Sequence, residues 1–273
     1  MGYQEFYGLL FEPFANHPDP RFYFNSPQHA HAREYLMHAA QGTRGLAVLL
    51  GDIGTGKTTL VRKILSELYS LGTFQVGLII LTHSDFEPGW LFSRIGNLIG
   101  LRDLGSSLTD IITRISHRLH EIYRRKEKTV IIVDEANKIK SPEILEEIRG
   151  LLNLEIADTR LISFILSGLP ELEPCIAGNR ALNQRVAVKV KLRSMGTDTV
   201  KSYIKHRLSI AGATRDIFSP EAIDLVCRYS EGRPRLVNIM CDNALLEGYV
   251  QNKKHVDASI MERVITNLGL KSE

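Results

Sequence analysis

Apolar and polar residues follow two different rhythms along this chain, and the change of rhythm divides it. Between residues 44 and 195, short continuous apolar runs recur, each followed by a stretch with helical spacing. Residues 46–50 read LAVLL, as a strand buried on both faces should. Residues 58–71 then carry Leu60, Val61, Ile64, Leu65, Leu68 and Tyr69 on one helical stripe, ended by Gly72. Further strands are predicted at 76–81, 130–133, 161–166 and 186–192, and helices at 90–99 and 111–123. Ser141 and Pro142 open another helix with Ile144, Leu145, Ile148, Leu151 and Leu152 on one face. Strands alternating with helices imply an α/β fold, a parallel sheet with helices on both faces.

From residue 196 to 273 the spacing is helical throughout. Residues 199–211, 220–229, 234–249 and 257–268 each show an apolar stripe with i, i+3/i+4 spacing. Ser219-Pro220 starts one of these helices, and Gly232 separates two others. A small all-α domain is therefore predicted after the α/β domain. Residues 1–43 fit neither rhythm. Phe6, Tyr7, Phe11, Phe14, Phe22, Tyr23 and Phe24 are interspersed with Pro13, Pro18 and Pro20, which disfavour regular structure. This segment is expected to pack on the α/β core, with a helix from Pro27 behind the capping candidate Ser26. No repeat or low-complexity tract is visible.

Composition adds limits. Of 273 residues, 44% are hydrophobic, enough for a sizeable core. The net charge of +3, with both signs mixed, neither demands nor excludes an acidic partner such as nucleic acid. Cys175, Cys227 and Cys241 are scattered and form no CxxC pair. They argue against a disulfide framework or a zinc site and read as small buried hydrophobes in a reducing compartment. The first 20 residues hold Glu5, Glu12 and Asp19 and no long apolar run. Apolar stretches fall far short of the roughly 20 residues a membrane span needs, so a soluble, cytoplasmic protein is expected.

The central motif is Gly51-Asp52-Ile53-Gly54-Thr55-Gly56-Lys57-Thr58, followed by Thr59. It fits GxxxxGK[ST] in full, after a buried apolar strand and at the start of an amphipathic helix. Glycines let backbone N–H groups turn inward into a concave anion site, and the helix N-terminus adds positive potential. The pattern predicts that ATP is held by residues 51–59. Lys57 would reach the β- and γ-phosphates, and Thr58 would place its hydroxyl on Mg²⁺.

Residues 130–135 read VIIVDE and set two carboxylates at the end of a buried strand. In open α/β sheets ligands lie at the carboxyl ends of strands, so this motif should converge with the phosphate loop. Asp134 is the expected partner of Mg²⁺, and Glu135 the candidate to orient and deprotonate the attacking water. Phosphoryl transfer also needs positive charge on the developing γ-phosphate. Candidates are Arg180 and Arg185, before the last strand, and Arg235, at a helix start beside Pro234. Ser167, at the end of the 161–166 strand, would face the same site with a hydroxyl. Spacing alone does not separate these arginines from solvated surface residues.

Taken together, GDIGTGKTT, VIIVDEA, FILSGLPEL, LNQRV and EGRPRLVNIMCDNALL resemble AAA+ ATPases. More narrowly, with the opening FYGLLFEPF and PDPRFYFNS, they resemble the secretion ATPase of the ExeA (GspA) type. The resemblance implies a P-loop NTPase fold with a helical lid. It matches Lys57 and Thr58 to Walker A, Asp134 and Glu135 to Walker B, and Ser167 to sensor 1. It matches Arg235 to sensor 2 and Arg185 to an arginine finger acting on a neighbouring subunit, which implies an ATP-dependent homo-oligomer. It also implies a protein partner, with a membrane-bound one among the options, at the cytoplasmic face of the inner membrane. Relatives often carry an asparagine near the end of the second strand that restrains the catalytic glutamate; here that place reads Leu81-Thr82-His83. Relatives also continue into a membrane helix and a peptidoglycan-binding domain. The chain is expected to be either a piece of such a protein or a soluble cousin serving another system.

Three functions follow as expectations: a motor or switch assembling a secretion or cell-envelope complex, a DNA-associated regulator of the transposition ATPase kind, or a nucleotide-gated scaffold. The basic run Arg124-Arg125-Lys126 and the alternating Lys189, Lys191 and Arg193 speak for DNA, although such runs are usually solvated faces. Glu135 speaks against a scaffold. Phe14 is expected to contribute to the adenine pocket.

Overall fold

A computed structural model describes residues 2–270 except 18, 43, 44, 88, 106 and 158. Pro18 and the boundary expected at 43/44 lie outside the described residues. In chain order the elements are α1 (Tyr3–Tyr7), α2 (Pro27–Gln41), β1 (Leu46–Gly51), α3 (Lys57–Ser70), β2 (Phe74–Ile80), α4 (Trp90–Leu98), α5 (Leu108–Arg124) and β3 (Lys128–Asp134). They continue with α6 (Pro142–Leu151), β4 (Glu155–Ile156), β5 (Thr159–Arg160), β6 (Ile162–Gly168), α7 (Leu172–Gly178), α8 (Arg180–Asn183) and β7 (Val186–Leu192). The helices α9 (Thr197–Ile210), α10 (Pro220–Tyr229), α11 (Pro234–Val250) and α12 (Ala258–Asn267) close the chain. The chain forms two compact units.

The α/β unit holds 27–52 and 57–192. Its parallel sheet has the order β2-β3-β6-β1-β7. The continuous apolar runs are explained by this arrangement: β1 and β6 are buried along their whole length, because each lies between two strands and under helices on both faces. Alternate side chains feed two cores. Val48, Ile131, Phe164 and Leu166 join one core with α4, α5 and α6; Ala47, Leu49, Val130, Ile132 and Ile165 join the other with α2 and α3. The chain leaves β1 for the far edge at β2 and returns through β3 and β6, so the carboxyl ends of β1, β6 and β3 lie side by side. That is where an open α/β sheet binds its ligand.

The helical unit holds 1–26, 53–56 and 193–273. The N-terminal segment expected on the α/β core divides: α2 packs there, and the aromatic residues before it do not. Tyr7, Leu9, Phe14 and Phe22 are buried among residues of α9, α10, α11 and α12, rather than on the α/β layer. Phe14 is fully buried, edge-on to Phe218 at 6.1 Å. Part of the segment is regular after all: α1 forms and ends at Gly8 in the left-handed region. Arg207 of α9 holds the segment in place. Its guanidinium donates to the carbonyls of Pro13 and Ala15 and to the Tyr203 hydroxyl, which donates onward to Asn238 at 2.8 Å. The ring of Phe22 lies 4.9 Å from the same guanidinium. Burying an arginine is tolerated because its donors find acceptors.

Of the cysteines, only Cys241 is buried; Cys175 and Cys227 are half-buried, and all three are free thiols. Among the described residues, no helix is long and apolar enough to cross a membrane.

Candidate functional site

The phosphate loop leaves β1 at Gly51 and enters α3 at Lys57. Gly54 and Gly56 have φ of +80° and +96°, a region that side-chain-bearing residues rarely adopt, which is why the pattern needs glycine there. Lys57 is buried. Its Nζ donates to the carbonyls of Gly51 at 2.7 Å and Asp52 at 3.0 Å. Burial pushes its pKa down, opposed by the nearby carboxylates of Glu135, Asp134, Asp52 and Glu171. A cation held among loop carbonyls at a helix N-terminus is poised to exchange them for an anion. Thr59 is half-buried one residue further along α3, Thr55 is buried, and Ile53 is exposed at the tip.

The second cluster assembles at the strand ends. Asp134, almost fully buried, accepts from three donors: the Thr58 hydroxyl at 2.7 Å, the Ser167 hydroxyl at 2.8 Å and the Glu135 N–H at 3.0 Å. The sheet register sets this up. Val133 pairs with Leu166, so the next residues, Asp134 and Ser167, end neighbouring strands. Glu135 follows in the left-handed region, φ 57° and ψ 32°, half-buried at the start of a short 3₁₀ turn, Ala136–Lys138. A non-glycine residue there is strained, and such strain is often found at functional positions.

Sequence reasoning missed two residues of that turn. The Asn137 side chain accepts from the Leu169 N–H at 3.0 Å, tying the turn to the end of β6. Lys138 Nζ donates to the carbonyls of Leu81 at 3.0 Å and Thr82 at 3.1 Å, tying it to the end of β2. The turn that carries Glu135 is thus fastened to both flanking strands, at the place where relatives were expected to use an asparagine. Polar residues just after an acidic strand end were the available signal.

The arginines are placed differently. Arg185 lies half-buried between α8 and β7, and the neighbouring Val186 pairs with Leu46. That is the amino end of β1, roughly 17 Å along the strand from the phosphate loop at 3.3 Å per residue. Arg185 is therefore not gathered with Lys57 and Asp134, and neither is exposed Arg180, which begins α8. Arg235 is exposed near the start of α11; its N–H donates to the Gly54 carbonyl at 3.3 Å, both residues belonging to the helical unit. Of the basic strand residues, Lys189 is ion-paired with Glu173 at 2.9 Å.

A phosphate loop on β1, an acidic end on β3 and a hydroxyl end on β6, in a parallel sheet of this order, form one constellation, and a family model described as an AAA domain matches residues 40–176. The chain belongs to the AAA family. This AAA protein resembles the ExeA type within that family. It is 32% identical over 259 residues to the general secretion pathway protein A of Aeromonas hydrophila, covering 93% of this chain and 46% of that protein. The chain thus spans about half the length of the curated relative it matches. Its fold is shared with the Aeropyrum pernix ORC2 protein, solved as ADPNP-ADP complexes, at a TM-score of 0.69 and 15% identity over 93% of this chain and 71% of that one. It is shared too with Drosophila ORC bound to DNA, at a TM-score of 0.74 and 16% identity over 99% and 66%. At those identities the likeness speaks for the fold alone: an α/β nucleotide-binding AAA+ fold.

Proposed function

We propose that this AAA protein binds ATP with Mg²⁺ and hydrolyses it as a homo-oligomer, acting as a motor or switch in assembly of a secretion or cell-envelope complex. The observation that carries the reading is the joining of Thr58, Asp134 and Ser167 at the strand ends, beside a phosphate loop whose lysine is held among carbonyls. The donor set fits the metal: a hydroxyl and a carboxylate are hard oxygen ligands, and Mg²⁺ takes few protein ligands while sharing the substrate's phosphates and water. When bound, Mg²⁺ would neutralise charge developing on the phosphates.

The chain's own residues do the rest. Lys57 and the N–H groups of residues 51–59 bind and orient the phosphates. Glu135, at the end of β3, orients a water and takes its proton. Ser167 senses the γ-phosphate through the carboxylate it shares with Thr58. Arg235 takes the sensor 2 role that the resemblance assigns to it. Arg185 lies too far along the strand to serve its own subunit's loop, which supports a role on a neighbour's nucleotide and hence an assembly. The secretion role rests on the name of the Aeromonas relative, and a protein partner at the cytoplasmic face of the inner membrane on the resemblance to the ExeA type. The DNA-regulator alternative has less support, since Lys189 is already paired with an acid.

The test is ATP turnover against protein concentration for the wild type, Glu135→Gln and Arg185→Ala. Specific activity rising with concentration and lost in both variants, with ATP still bound, is the expected result. Full activity in dilute Arg185→Ala would sink the shared site. A salt-dependent, ATP-dependent shift on duplex DNA would turn the reading toward a DNA regulator.

A further inference from the structure

The basic run at the end of α5 borders a cleft that the ATPase reading does not use. The cleft has a volume of about 420 Å³ and lies entirely within the α/β unit. Arg124 ends α5, Lys126 lies in the turn after it, Lys128 starts β3 and Arg160 comes from β5, while Glu127 is the one carboxylate in the lining. β3 runs from this cleft to Asp134, so the two places lie roughly 20 Å apart at 3.3 Å per residue. We infer that this cleft is a binding site for a small anion carrying several phosphate groups.

The bland account of Arg124, Arg125 and Lys126 is that they offset the negative end of the α5 dipole. It does not account for Lys128, whose ammonium also donates to the Gln41 carbonyl, or for Arg160; both come from strands and line the same concavity. Like charges gathered in one cleft raise one another's energy, and a polyanion relieves that. Arg124 and Lys126 are exposed and make no ion pair among the described residues, so both are available. Lys126 is set at φ 61° by its N–H bond to the Tyr123 carbonyl at 2.8 Å. Arg160 lies against Gly45, where a Cβ would fall 2.4 Å from the movable guanidinium end and where the backbone, at φ +93°, itself favours glycine.

The form of the cleft selects the ligand. Duplex nucleic acid is held by cations spread along many phosphates. Here four cations face one cavity of the size that takes a small molecule. Tyr123 adds an aromatic wall for an organic body. Guanidinium groups suit phosphate oxygens bidentately, and lysines serve as point charges.

The experiment titrates inorganic tripolyphosphate into the full chain carrying Lys57→Ala, which disables the phosphate loop, by calorimetry at fixed ionic strength. Saturable one-to-one binding is expected. It should weaken at least tenfold in Arg124→Ala and in Arg160→Ala, with melting temperatures unchanged, and persist in Arg228→Ala as a surface control. No saturable binding, or binding equally strong in the cleft variants, overturns the site. Flotation with vesicles of phosphatidylcholine and cardiolipin separates the sources. Vesicle binding that needs the same arginines identifies a lipid headgroup, and tripolyphosphate binding without it identifies a free soluble ligand. Duplex DNA bound more tightly than tripolyphosphate, with a steep salt dependence, would overturn the proposal in favour of an extended nucleic-acid surface.

Discussion

Each unit buries a cation, and the two are treated in opposite ways. Arg207 in the helical unit is surrounded by acceptors that need nothing from outside: two carbonyls of the N-terminal segment and the Tyr203 hydroxyl. Lys57 in the α/β unit has two loop carbonyls and pays for its burial with a depressed pKa. The first cation is structural, because removing it leaves buried acceptors without donors. The second is held ready for an anion, and its cost is a feature of the site.

The comparison can be broken in four ways. The largest effect is expected from Phe14→Ala, about 3–5 kcal/mol lost from the helical unit by cavity formation. Chemical denaturation would measure it, and ATP affinity of the folded variant should stay within twofold. A tenfold loss of affinity without unfolding would instead support the adenine-pocket role expected for Phe14. Next comes Arg207→Met, expected to cost about 2–4 kcal/mol through its orphaned acceptors. Wild-type stability in this variant would mean that the N-terminal segment is held by its aromatics alone.

Lys57→Met should act with the opposite sign. Its loss removes a desolvated charge, so stability holds or rises by at most about 1 kcal/mol, while ATP affinity falls at least 100-fold. A lowered melting temperature would show that Lys57 also has a structural role.

The smallest effect concerns Glu147 of α6. One of its oxygens accepts from the Gly89 N–H at 2.6 Å; the other is buried with no partner among the described residues, and burial pushes its pKa up. The sign follows from linkage. A raised carboxylate pKa favours the folded state fully below the ordinary Glu value, and that contribution is lost as pH rises through the raised value. Melting temperatures across that window should therefore fall in the wild type relative to Glu147→Gln, by an increment worth under about 1 kcal/mol. Parallel curves would mean that this carboxyl is solvated.

Much of the site was legible because its chemistry is local. GDIGTGKTT must be contiguous to wrap an anion, and VIIVDE must be an apolar run with acids at its end. Strand ends shifted by only a residue or two: the run expected at 76–81 is Phe74–Ile80. What stayed hidden has no period to read. The β4–β5 hairpin is two residues a side, and α7 and α8 are short. Ser141 is the N-cap residue of α6, as expected, but its hydroxyl donates to the Glu143 carboxylate rather than accepting from the helix backbone. Asn137 and Lys138 look like ordinary surface residues until their long-range partners are known.

By itself the sequence determined the α/β alternation, the helical character after residue 196 and the residues of the phosphate loop and acidic strand end. Those are properties of consecutive residues, where periodicity and backbone freedom act. Tertiary structure alone decided that Asp134 meets Thr58 and Ser167, because that depends on strand order. It decided that the aromatic N-terminus belongs to the helical unit, because an aperiodic apolar segment packs wherever a complementary core exists. It also decided that Arg185 ends up at the wrong end of its own sheet, because parallel register carries the start of β7 to the start of β1, away from the loop.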